Sequence, residues 1–160
     1  MMRILGIDPG YAIVGFSVLD YEKDNWKVIE YGQVNSKAGL PIPTRLKMIY
    51  DDVTFVCEKY RPDVMAIEEL FFNNNAKTAI NVAQARGALV LAAENFGCKT
   101  HEYTPLQVKQ AVTGYGRADK NQVQQMVKTI LKLHDIPKPD DVADAVAIAI
   151  CAGYSIKNFD

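Results

Sequence analysis

Four acidic residues carry the chemical signal in this sequence: Asp8, Glu68, Asp141 and Asp144. Asp8 ends the apolar run Ile4-Leu5-Gly6-Ile7 and precedes Pro9-Gly10, so on its own it reads as a turn residue. Glu68 ends Val64-Met65-Ala66-Ile67 and on its own reads as a solvated strand end. The two-residue alternation of a strand sends Glu69 to the opposite face, so only Glu68 can share a side with Asp8. Asp144 is harder to explain blandly. It sits in Asp141-Val142-Ala143-Asp144-Ala145-Val146-Ala147-Ile148-Ala149-Ile150, which is apolar on nearly all sides, as a buried helix is. An unpaired ionised carboxylate there costs several kcal/mol or is driven to a raised pKa. Asp141, one helical turn earlier, lies on the same face and adds a second negative charge. Such a pair needs a cation between its members, or else Asp140 or Asp141 caps the helix and Asp144 points to a groove lined by Arg or Lys.

Oxygen-only donors without His or Cys suit Mg²⁺ or Mn²⁺, with waters and phosphate oxygens completing the octahedron. Carboxylates from two adjacent strands and a helix packed on their sheet could hold two ions roughly 3.5–4 Å apart. That arrangement serves phosphodiester hydrolysis without a covalent enzyme intermediate. One ion lowers the pKa of the attacking water and the other stabilises the leaving 3′ oxygen. Soft-ligand chemistry is disfavoured. Cys57, Cys98 and Cys151 are scattered and form no C-x-x-C pair, and His101 and His134 are isolated.

The elements that must position these residues follow from periodicity. Arg3 to Ile7 reads as a short buried strand; Ala12 to Tyr21 and Trp26 to Val34 read as two more, joined by a hairpin turn at Glu22-Lys23-Asp24-Asn25. Leu46, Ile49, Tyr50, Val53, Val56 and Cys57 then recur at helical spacing until Arg61-Pro62. Val64 to Ile67 is the next strand, and a strand-helix-strand step of this length implies a parallel pairing and a mixed sheet. A helix over about residues 76–95, a strand near Thr100 to Tyr103, and helices near Gln107 to Val112, Lys120 to Leu133 and Asp141 to Cys151 complete the order. The expected architecture is a three-layer α/β sandwich with a mixed five-stranded sheet flanked by helices, in one domain over residues 1–160.

A net charge of -1 gives no bulk attraction to nucleic acid, so any DNA-binding surface has to be a local basic patch. No signal peptide and no run long enough to span a membrane is visible, which predicts a cytoplasmic protein. Gly114-Tyr115-Gly116-Arg117-Ala118-Asp119-Lys120 does not fit a phosphate-cradling G-x-x-x-x-G-K-[ST] loop. Its Arg117 and Lys120, with Lys109 near in sequence, could instead neutralise backbone phosphates, or form a solvated helix start. The pair Phe71-Phe72 beside Asn73-Asn74-Asn75 could stack on unpaired bases or plug the core. The small residues of Ala76 to Leu89 suit either close packing on the sheet or a two-fold interface.

With these residues in view, the chain resembles the RuvC-type crossover-junction (Holliday junction) resolvases of the ribonuclease H-like superfamily. The matching stretches are Gly6-Ile7-Asp8-Pro9-Gly10, Ala66-Ile67-Glu68, Gln84-Ala85-Arg86-Gly87, Val108-Lys109-Gln110, Lys120-Asn121-Gln122-Val123-Gln124 and Asp141-Val142-Ala143-Asp144-Ala145. The resemblance implies a ribonuclease H-like fold and a structure-selective endonuclease that resolves four-way DNA junctions by paired symmetric nicks in recombination and repair. It assigns catalysis and metal binding to Asp8, Glu68, Asp141 and Asp144, with two Mg²⁺ ions per site that Mn²⁺ could replace. It assigns DNA contacts to Lys109 and Lys120 and base stacking to Phe71. It further implies a homodimer that works with a junction-binding protein and a hexameric branch-migration ATPase of the Ruv system. Glu69 departs from the family's common Gln and adds a negative charge beside Glu68. The competing expectations are an RNA-processing nuclease of the same fold, a non-catalytic binding module, and a sugar-kinase or actin-like ATPase.

Overall fold

The first strands form because β-branched and aromatic residues favour extended backbone, as an apolar run at Ile4-Leu5-Gly6-Ile7 and mixed with polar residues in the two segments after it. In a computed structural model that describes residues 1–69 and 76–156, they are β1 (Met2–Asp8), β2 (Ile13–Glu22) and β3 (Asn25–Asn35). They pair antiparallel in succession. Lys23 and Asp24 adopt φ of 48° and 64°, the left-handed geometry that lets two residues reverse a hairpin.

Helix α1 (Ile42–Tyr60) carries the chain back so that β4 (Val64–Glu68) pairs parallel with β1. Helix α2 (Ala76–Glu94) does the same for β5 (Lys99–Tyr103) beside β4. The sheet is therefore mixed and five-stranded, in the order β3-β2-β1-β4-β5. Helices α3 (Pro105–Thr113), α4 (Lys120–Ile130) and α5 (Asp140–Ser155) follow. The three-layer sandwich expected from the sequence is what forms.

Alternation along the strands feeds two separate cores. Leu5, Ile7, Met65 and Ile67 face α1 and α2, packing on Ile49, Val53 and Leu89. Ile4, Val64 and Ala66 face the other way, onto Val146, Ala149 and Ile150 of α5 and Val112, Val123 and Val127 of α3 and α4. The same parity aims Asp8 and Glu68 at the α5 face.

Three helix bounds differ from expectation. Helix α3 starts at Pro105 rather than Gln107, because Thr104 and Gln107 form a reciprocal capping box with a proline in the first turn. Helix α4 stops at Ile130 rather than Leu133, and Lys132 turns left-handed at φ 54°. Helix α5 runs on to Ser155 because Ala152 and Gly153 stay buried, with Gly153 against the Trp26 ring. Among the described residues no helix is long and apolar enough to cross a membrane.

Helix α5 touches the sheet at residues that have no side chain or a small one. A Cβ at Gly6 would fall 2.1 Å from the Ala145 carbonyl oxygen, and one at Gly15 would fall 2.0 Å from that of Asp141. Between them the buried Ser17 hydroxyl donates to the Ala145 carbonyl at 2.9 Å. Neither clash can be relieved by a rotamer change, since each partner is backbone. Gly6→Ala is expected to destabilise the protein by about 1–3 kcal/mol or more. For a chain of this size that lowers Tm by roughly 2–4 °C per kcal/mol, read by thermal denaturation.

Candidate active site

The contact of α5 with the sheet determines which carboxylates meet. Gly15, on which the Asp141 carbonyl rests, is the cross-strand partner of Asp8. The N-terminus of α5 thus lies at the end of β1, which brings the Asp141 side chain close enough to Asp8 to raise its carboxyl. Glu68 ends the neighbouring strand, one residue beyond the Ile7–Ile67 pair. Asp144 follows one helical turn along α5.

A cavity of about 270 Å³ opens where these elements meet. Asp8, Glu68 and Asp144 line it together with Lys109 of α3 and Lys120 of α4. The capping boxes at Thr104–Gln107 and Asp119–Gln122 fix the starts of those two helices and so place both lysines. Lys120 Nζ lies 3.1 Å from Asp140 Oδ2 and 3.6 Å from Asp144 Oδ2.

Electrostatics mark the cavity as short of positive charge. Burial pushes the Asp8 carboxyl up to about 8, and Asp144, Asp141 and Glu68 add to the rise. Burial also raises Glu68, helped by Asp144 and opposed by Lys109. For Asp144 burial is again the leading cause of a raised value, with Lys120 opposing it and Asp141 and Asp140 adding to it.

Of the residues singled out from the sequence, Asp8, Glu68, Asp144, Lys109 and Lys120 share the cavity, and Asp141 backs it through Asp8. The all-round burial expected at Asp144 is not found: its side chain is 43% exposed, because its part of α5 faces the opening rather than the core. The groove with lysine and the cluster of carboxylates, posed as alternatives, occur together. The cap of α5 is Pro139, without a side-chain hydrogen bond, so Asp140 and Asp141 instead occupy the first turn, where the helix dipole favours acids. Arg117 is exposed in the loop between α3 and α4, outside the cavity lining. Glu69 is exposed, donates its N–H to the Tyr103 carbonyl at 2.9 Å, and is not among the residues that line the cavity. Phe71 and Phe72 lie outside the described residues.

Sequence reasoning missed a clamp behind the loop that follows Asp8. The Ser36 hydroxyl donates to the Tyr11 carbonyl at 2.5 Å, and Arg45 Nε donates to Ser36 Oγ at 3.1 Å. The Arg45 guanidinium also stacks 3.9 Å over the Tyr11 ring. Partners so far apart in the chain leave no local signal.

The donor set fits a hard divalent cation in kind, being all carboxylate oxygen, and in charge, since a cation would offset both the burial and the neighbouring negative charges that raise Asp8. Among the described residues, no three acidic, His or Cys side chains stand close enough as placed to hold one ion. Converging electrostatically on Asp8, they would have to draw inward around a metal.

Comparison with known proteins gives a consistent picture. The family model described as "Crossover junction endodeoxyribonuclease RuvC" matches residues 4–152. A curated protein of that name from Brevibacillus brevis is 58% identical over 149 residues, covering 93% of this chain and 90% of the relative. Its namesake from Finegoldia magna is 57% identical over 156 residues, covering 98% and 95%. Among solved structures, T. thermophilus RuvC in complex with Holliday junction substrate superposes with a TM-score of 0.92 at 36% identity, covering 97% of this chain and 95% of that one.

The raised Asp8 value sets a pH dependence. Its folded-state value of about 8 lies above the ordinary 3.8, so folding favours the protonated form. Near and below the ordinary value both states hold the proton; as pH rises from there towards the folded value, the unfolded chain sheds it first and stability falls. In chelator-treated protein, Tm is therefore expected to drop between about pH 5 and about pH 8, and Asp8→Asn to flatten that drop. Equal slopes for the two proteins would remove Asp8 as the source.

Proposed function

The chain belongs to the crossover junction endodeoxyribonuclease RuvC family, and from that premise we propose that it resolves four-way DNA junctions by paired symmetric nicks. The observation that carries this is the convergence of Asp8, Glu68 and Asp144, backed by Asp141, on one cavity flanked by two lysines. The likeness to the junction-bound Thermus protein extends over nearly the whole chain. On this reading the reaction is hydrolysis of a phosphodiester in strands of like polarity, in the service of recombination and repair.

Asp8, Glu68, Asp141 and Asp144 would hold the divalent ions, with Mg²⁺ assigned and Mn²⁺ an acceptable substitute. Such ions supply Lewis acidity at the attacking water and at the leaving 3′ oxygen. The chain's own groups do the remaining work. Lys109 and Lys120 bind the phosphate at the cavity wall, where their charge also opposes the rise in the Glu68 and Asp144 values. Arg117, from the exposed loop, contacts the DNA backbone farther out. Phe71 is assigned to stacking on disrupted bases at the crossover, on the strength of the family resemblance.

The paired nicks call for two sites, hence a homodimer. Ile80, Gln84, Gly87 and Leu91 form one exposed stripe along α2, with Ile80 at 55% and Leu91 at 56% exposure. Spacings of four, three and four residues keep them on one helical face, and a bare glycine at its centre lets a second helix approach. Residues 1–160 act as one domain in the cytoplasm, alongside a junction-binding protein and a hexameric branch-migration ATPase.

Three measurements check these statements. With Mg²⁺, the protein is expected to nick both opposing strands of a synthetic mobile junction, and to leave linear duplex and RNA largely uncut; equal cutting of duplex would reject the substrate. Asp144→Asn is expected to slow nicking at least about a hundredfold while junction binding persists. Leu91→Glu should shift sedimentation toward the monomer, and an unchanged dimer would move the interface elsewhere.

A further inference from the structure

Within the motif Gln84-Ala85-Arg86-Gly87, Arg86 has no part in the chemistry or the interface described so far. It lies on α2, against the face of the sheet that the cavity does not occupy. From there Arg86 Nε reaches the main-chain carbonyl of Glu68 at 3.5 Å, and its terminal nitrogen pairs with the Glu102 carboxylate on β5. The Arg86 side chain is 16% exposed, so it lies folded into the strand ends rather than out in solvent.

Glu68 needs such support. It is the last residue of β4, and its side chain turns on several free torsions at the point where the strand ends. Its sheet contacts tie it to the Tyr103 side of β5 through the neighbouring Glu69 N–H. A carboxylate held within about 0.5 Å of a working geometry requires a backbone that does not drift. A guanidinium presents a planar fork that serves two acceptors at once, which an ammonium cannot do with the same geometry.

We propose that Arg86 is the positioning residue for Glu68: reaching through from the rear of the sheet, it pins the Glu68 carbonyl to β5 through Glu102 and so fixes the direction in which the carboxylate enters the cavity. This rests on the assignment of Glu68 as a metal-holding carboxylate. Burial of α2 on the sheet comes from Ala85, Leu89, Ala92 and Ala93 and does not require the arginine.

The test compares wild type with Arg86→Lys and Glu102→Gln. Mn²⁺ affinity is measured by calorimetry without DNA, single-turnover nicking with saturating enzyme, junction Kd in chelator, and Tm. Groups that orient metal ligands commonly account for 10–100-fold in affinity or rate, so Arg86→Lys is expected to weaken Mn²⁺ and slow nicking about tenfold. Junction Kd and Tm stay close to wild type. Glu102→Gln, at a half-exposed site that tolerates change, is expected to weaken Mn²⁺ about threefold because the carbonyl contact survives. Wild-type Mn²⁺ affinity in both variants overturns the proposal, as does a loss that tracks Tm and junction binding together. A wild-type chain that neither binds Mn²⁺ nor nicks junctions overturns this proposal and the assignment of Glu68 alike.

Discussion

The distance between α5 and the sheet governs everything at this site. Gly6 and Gly15 leave room for helix backbone where any side chain would collide with it, and Ser17 turns the remaining contact into a buried hydrogen bond. The alanines of α5 complete the fit from the other side, since bulkier residues would hold the helix off. Because Gly15 is paired with Asp8, the spot where the helix lands also fixes how near Asp141 and Asp144 come to it. Backbone-to-backbone contact is stiff. It transmits the geometry of two extended strands to a helix more than a hundred residues later in the chain.

That stiffness is what allows acidic groups to be held together at all. Carboxylates buried near one another in a cavity destabilise the fold, and the values at Asp8, Glu68 and Asp144 are raised first by burial and then by their neighbours' charge. Two hydrophobic cores, one on each face of the sheet, offset that destabilisation. The strained groups sit at strand ends and in a helix's first turns, where the neighbouring chain is anchored: by Arg45 and Ser36 behind the loop after Asp8, and by Arg86 behind Glu68. Sites of this kind give up local stability for reactivity, as functional sites commonly do.

Most of the architecture was legible because its signals are local. Strand alternation, the hairpin at Lys23-Asp24 and the helical spacing in α1 each concern residues within one element. Alternation also separated Glu68 from Glu69 correctly. The start of α3 was readable in Thr104-Pro105-Leu106-Gln107, a capping box followed through by the structure, although the apolar pattern drew the boundary two residues late. The exposure of Asp144 was not readable. Periodicity reports what lies along the helix, whereas the opening beside Asp144 is walled by Lys109 of α3 and Lys120 of α4, which are distant in sequence. The roles of Gly6, Gly15 and the two arginines depend on partners distant in sequence, so no window of residues contains them.

The charge of the whole chain then takes on a different meaning. A net charge of -1 supplies no bulk attraction to DNA, so affinity has to be generated where the substrate fits rather than across the surface. At the cavity, two lysines face three carboxylates, with Asp141 behind Asp8, which leaves the site short of positive charge until something else arrives. On the proposed reading, that something is divalent ions together with a phosphate whose position is set by the junction's shape. On that same reading, a polyanion that failed to place its phosphate against Lys109 and Lys120 would meet the carboxylates instead and be repelled. Discrimination between a junction and an ordinary duplex can therefore arise from the same uncompensated negative charge that makes the site costly to fold.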